Sequence, residues 1–135
     1  MKVFIDTNVW LSGRFWPGLC AELLDSLIKM DVTILLDECV HEEFRRIASE
    51  KFRVDVITLE QTEVFFHRHA IILPRAQIPI KDVPDPDDAW ILAAALTANA
   101  DWFVTGDKAL LQMEQASGMP IIHPRQAYLR LKGLN

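Results

Sequence analysis

Four acidic residues stand where packing alone does not call for them, and as a set they could bind a hard metal ion and activate water. Asp6 follows Val3-Phe4-Ile5, an apolar run too short for a helix and typical of a strand buried on both faces of a parallel sheet. In open α/β sheets the working groups lie at the carboxyl ends of strands, so Asp6 is a candidate ligand, although taken alone it equally suits a turn or cap. Asp107 closes a second such stretch, Trp102-Phe103-Val104-Thr105-Gly106-Asp107, and equally suits the cap of the helix that follows. Glu43 shares a helix side with Val40 and Ile47, whereas its neighbour Glu42 points away and is placed to pair with Arg46 one turn later. An inward acid needs a partner, a metal or a water-filled site, unless it sits at the edge of the apolar stripe with its head in solvent. Asp88 precedes Ile91, Leu92 and Ala95 on one helical stripe; Asp87 is nearly as close, and helical phase does not choose between them.

Convergence of such acids has an energetic consequence. Two carboxylates ~4 Å apart repel by roughly 4 kcal/mol at an effective dielectric near 20, so a group of them requires protons, basic partners or a metal. No lysine cluster lies beside them in sequence. Oxygen-only donors select hard cations, which makes Mg²⁺ or Mn²⁺ the expected ion, and such ions activate water and stabilise charge at a phosphoryl group under in-line attack.

The elements that must position these acids alternate along the chain. The first strand leads into a loop with Gly13, Pro17 and Gly18, and a helix follows in which Leu19, Leu23, Leu24, Leu27 and Ile28 recur at helical spacing before Asp31. Strands are expected at Val32–Leu36, Ile71–Leu73, Trp102–Thr105 and Ile121–Ile122, with helices at Val40–Lys51, Leu59–His69, Asp87–Ala98, Lys108–Gln115 and Arg125–Leu131. Asp85 suits an N-cap with Pro86 at the first helical position, and the proline-rich stretch Leu73–Pro86 reads as a long connection. Right-handed crossovers then give an α/β fold, a parallel sheet of about five strands with helices on both faces.

Half of the 135 residues are hydrophobic, enough for one globular domain spanning 1–135. Lys and Arg total 14 against 19 Asp and Glu, a formal charge of -5 that lacks the basic footprint of a duplex-DNA reader. Cys20 and Cys39 are far apart in apolar settings and read as reduced core residues, and with no membrane-length apolar run or leader pattern the expected location is the cytoplasm. Trp10, Phe15 and Trp16 read as core, with a partner groove as the alternative, and His41, His67 and His69 as surface.

The motifs carry a resemblance. Asp6-Thr7-Asn8, Glu43-Phe44, Asp88 with Ile91-Leu92-Ala93-Ala94-Ala95, and Thr105-Gly106-Asp107, in this order over nearly the whole chain, resemble the PIN domain, particularly the small VapC-like toxins of toxin-antitoxin pairs. The resemblance implies a Rossmann-like sheet in the doubly wound order 3-2-1-4-5, which sets the strands ending in Asp6 and Asp107 side by side. It also implies a metal-dependent endoribonuclease with Asp6, Glu43, Asp88 and Asp107 as catalytic metal ligands and Asn8 and Thr105 as supporting hydrogen-bonding groups. Many relatives carry a further acid where this chain has Ala109, which leaves Asp107 to serve alone. A homodimer and an antitoxin that occludes the site are implied partners. RNA must be held by cations at the rim, for which Arg14, Arg45, Arg46, Lys81 and Lys108 are the candidates, and single-stranded or looped RNA is favoured over duplex. Two other classes compete: a haloacid-dehalogenase-like phosphatase, which wants an acid where Asn8 stands, and a PIN-like binding module without turnover.

Overall fold

The computed structural model describes residues 1–133. In chain order the elements are β1 (Lys2–Ile5), α1 (Thr7–Phe15), α2 (Leu19–Lys29), β2 (Thr33–Asp37), α3 (Glu38–Glu50), α4 (Val56–His69) and β3 (Ala70–Leu73). They continue as α5 (Pro86–Thr97), β4 (Trp102–Val104), α6 (Lys108–Met113), β5 (Gln115–Ala116), β6 (Met119–Ile122) and α7 (Pro124–Leu131). The sheet order is β3-β2-β1-β4-β6-β5, parallel throughout except for the final β5–β6 pair. The expected five-strand core is therefore present, and a sixth, two-residue strand is added at one edge.

That extra strand has a local cause. Glu114 adopts the left-handed region (φ 64°), which stops α6 at Met113 and turns Gln115 into an antiparallel ladder with Pro120. The larger departure from the sequence reading is α1, where a loop was expected after β1. Asp6 caps this helix by accepting from Thr7 N–H, and Gly13 lies within it rather than at a turn. A Cβ at Gly13 would lie 2.5 Å from Leu24 Cδ1 and 3.1 Å from the Cys20 carbonyl, so this glycine lets α1 approach α2.

β1 runs through the centre of the sheet with Val3, Phe4 and Ile5 fully buried, and Phe4 stacks on Phe103 of β4 at 5.2 Å. Strands β2 and β3 extend to one side of β1, β4 and β6 to the other, so strand order reverses between β1 and β4. An aromatic cluster of Trp10, Phe44 and Phe66 ties α1, α3 and α4 together. Trp10 is thus core, Phe15 is half-buried and Trp16 is exposed. Cys20 and Cys39 are free and half-buried. Among the described residues, no helix is long and apolar enough to cross a membrane.

Candidate active site

The carboxyl ends of β1 and β4 lock together through hydrogen bonds. Asp6 N–H donates to the Val104 carbonyl (3.0 Å), Thr7 N–H donates to Asp6 Oδ1 (2.8 Å), and Thr105 Oγ1 donates to Asp6 Oδ2 (2.7 Å). Thr105 Oγ1 also accepts from Asp107 N–H (3.0 Å), so one buried hydroxyl links the two strand-end acids. Asp107 caps α6 by accepting from Leu110 N–H (3.0 Å), which makes it a cap while still placing its charge beside Asp6.

Electrostatics gather the four acids into one neighbourhood. Burial pushes the Asp6 carboxyl up to about 6; the Thr105 and Thr7 hydrogen bonds act against this, and the charges of Glu43 and Asp107 add to it. Asp88 is pushed up to about 7, first by burial and then by Asp6, Asp85, Asp107 and Glu43. No Lys, Arg or His side chain forms an ion pair with any of the four among the described residues. Their carboxylates nonetheless stop short of a closed chelate, since among the described residues no three His, Cys, Asp or Glu side chains form a metal-holding group. Asp6 has both oxygens engaged by Thr7 and Thr105, and Asp107 has one turned into its helix.

Beside this edge lies an open groove of about 610 Å³ lined by Thr7, Glu43, Asp87, Asp88, Arg46, Arg75 and Trp90 among others. Glu43 is exposed on this groove wall, so of the two readings of its helical phase the structure gives the edge position, with its head in solvent, and not the inward one. Asp85 caps α5 by accepting from Asp87 N–H (2.9 Å), with Pro86 at the start of the helix. Of the pair that phase could not separate, Asp88 is half-buried and feels the other acids, while Asp87 is exposed on the groove wall.

Several expected roles change. Glu42 pairs with Arg75 instead of Arg46, and Arg75 also bonds Cys39 Sγ (3.0 Å) and approaches Glu38 (3.7 Å). His41 is not a free surface residue: it is half-buried, 2.8 Å from Glu63 of α4, with its ring edge-on to Phe66. Of the five candidate cations, only Arg46 lines the groove. Arg14 stacks on Phe65 with its guanidinium carbon 3.9 Å from the ring centroid, Arg45 faces Glu63 (3.5 Å), and Lys81 and Lys108 are exposed outside the groove lining. Asn8 is exposed and makes no side-chain hydrogen bond among the described residues. Sequence reasoning missed Arg75, which sits in the proline-rich connection where no periodicity marks it, and Trp90, which hides inside an otherwise apolar helix. It also passed over Asp37, a fully buried strand-end acid that caps α3 through Val40 N–H (2.8 Å) and is pushed up by burial.

The fold has solved counterparts. The crystal structure of VapBC2 from Rickettsia felis bound to a DNA fragment from their promoter matches with TM-score 0.65 at 16% identity, covering 91% of this chain and 98% of that one. The structure of FitAB bound to the IR36 DNA fragment matches with TM-score 0.51 at 17% identity, covering 90% and 94%. No curated protein matches the sequence. With a sheet that reverses between β1 and β4, acids at both of those strand ends, and a PIN domain family model that matches residues 2–109, the chain belongs to the PIN domain family.

Proposed function

We propose that this chain is a Mg²⁺- or Mn²⁺-dependent endoribonuclease, and that it acts in the cytoplasm as the toxin of a toxin-antitoxin pair. The observation that carries the reading is the shared field of Asp6, Glu43, Asp88 and Asp107, acids from β1, α3, α5 and the end of β4 with no basic partner among the described residues. Such a set is stable when ionised only if a cation accompanies it. The donor set fits a hard divalent ion by type, all anionic oxygen, and Mg²⁺ tolerates acids that stop short of a chelate because it keeps several waters of its own.

On this reading Asp6, Asp88 and Asp107 would hold the ion, which would supply charge stabilisation at the phosphoryl group and a more acidic water. Thr105 and Thr7 N–H fix Asp6 in one orientation, and the Thr105 bond to Asp107 N–H keeps the second strand-end acid in register with it. Glu43, unpaired on the groove wall, orients the attacking water and receives its proton. Arg46 on the same wall holds a substrate phosphate. The structural neighbours support a partner protein, because both are complexes bound to DNA, one to a promoter fragment, while this chain carries a formal charge of -5. A homodimer of single-domain chains, with an antitoxin covering the groove, completes the proposal.

The test is cleavage of single-stranded RNA by metal-free protein with and without added Mg²⁺, run beside Asp6→Asn and Asp107→Asn purified identically. We expect Mg²⁺-dependent cleavage that falls at least ~100-fold in both variants, in line with losing a group that stabilises developing charge. Cleavage of equal strength in all three preparations would reject the reading as a contaminant's activity.

A further inference from the structure

We infer that Trp90 is the stacking platform of a nucleobase subsite, holding one base of single-stranded RNA beside the acids that act on its phosphate. This inference rests on the ribonuclease reading. Trp90 lies two residues past Asp88 on α5, a helix whose Ala89 and Ile91 to Ala95 are all buried, yet Trp90 is 39% exposed. It belongs to the walls of two hollows at once: the acid-lined groove, and a smaller hollow of about 270 Å³ walled by Pro79, Ile80, Val83 and Ala89. Trp90 thus stands between a groove that carries acids and a smaller, mostly apolar hollow.

The chemistry of the smaller hollow selects its occupant. Its one charged wall residue is Asp82, and it contains no cation, so a phosphate is repelled. A flat, uncharged ring is not repelled, and its edge N–H groups meet an acceptor at Asp82. A strand whose phosphate sits among the acids and Arg46 reaches the indole with the adjoining base, and base–aromatic stacking tolerates any base sequence. Duplex RNA cannot offer that base face without unpairing, so the subsite favours single strands.

The experiment measures fluorescence anisotropy of a labelled single-stranded RNA octamer, and of an abasic octamer with the same phosphates, in Ca²⁺ for wild type, Trp90→Ala and Trp90→Phe. We expect Trp90→Ala to weaken octamer binding about 5- to 100-fold, Trp90→Phe to stay within about 3-fold of wild type, and the abasic strand to bind all three alike. Wild-type affinity in Trp90→Ala, equal losses in both variants, or an equal loss with the abasic strand would overturn the subsite. Cleavage in Mg²⁺ is followed in parallel. Cleavage with Trp90-independent binding rejects the subsite alone, Trp90-dependent binding without wild-type cleavage rejects the catalytic reading alone, and no RNA binding rejects both.

Discussion

Asp6 shows how one side chain can be held at a cost to the fold. Its carboxyl is buried at the sheet edge, accepts two hydrogen bonds and is still pushed up to about 6. In the unfolded chain the same group titrates near 3.8, so the folded state binds the proton more tightly. Stability from this group is complete below the unfolded value and is lost as pH rises through about 6; Asp88 extends the loss to about 7. For Asp6 the difference corresponds to about 3 kcal/mol. Through these two groups the melting temperature of metal-free protein should be lower at pH 8 than at pH 5. Asp6→Asn should be more stable than wild type at pH 8 by about 2 kcal/mol, once ~1 kcal/mol is deducted for the weakened Thr105 bond, and should therefore melt higher. If the proposed metal reading holds, added Mg²⁺ should reverse the order, because binding to the folded state would stabilise wild type and not the variant. Thermal melts at both pH values, with and without Mg²⁺, check this; a variant no more stable than wild type at pH 8 would show that Asp6 carries no ionisation cost.

At the scale of elements, two short helices carry more than their length suggests. Asp107 caps α6 and faces the acids, and the roles separate by substitution. Asp107→Asn keeps an acceptor for Leu110 N–H and should alter stability by a few tenths of a kcal/mol, while Asp107→Ala should cost about 1 kcal/mol. On the ribonuclease reading both should lower cleavage at least ~100-fold, so denaturant melts beside activity distinguish cap from ligand. Gly13→Ala should cost about 1–3 kcal/mol despite alanine's better helix propensity, since its Cβ meets Leu24 Cδ1 at 2.5 Å; a neutral melt would show that α2 can shift. The same glycine explains what the sequence left illegible. The strands β1 and β4 announce themselves as apolar runs ending in acids, and α5 by its Asp85-Pro86 start, because those signals are local. Gly13 reads as a turn when its purpose is to let α1 pack on α2. The pairings of His41 with Glu63 and of Glu42 with Arg75 span 22 and 33 residues, beyond any helical period. Phase put Glu43 on the side of Val40 and Ile47, yet its head is in solvent, and phase left Asp87 and Asp88 undecided, which burial separates.

For the molecule as a whole, charge constrains how RNA would be recognised on the ribonuclease reading. The chain carries a formal charge of -5, its candidate site is acidic, and the groove wall offers two cations, Arg46 and Arg75. Arg75 is already engaged by Glu42 and Glu38, which leaves little positive charge to displace counterions. Affinity for single-stranded RNA should then depend weakly on monovalent salt. For roughly two phosphate contacts, the slope of log K against log[KCl] at fixed divalent ion should be about -1.4. Arg46→Ala should make the slope shallower by about 0.7, and Arg75→Ala should change it less, since its charge is shared with two glutamates. Anisotropy titrations over a KCl series measure these slopes directly. A wild-type slope steeper than about -4 would require a basic surface that the groove does not contain, and would move RNA recognition to a second protomer or to a partner protein.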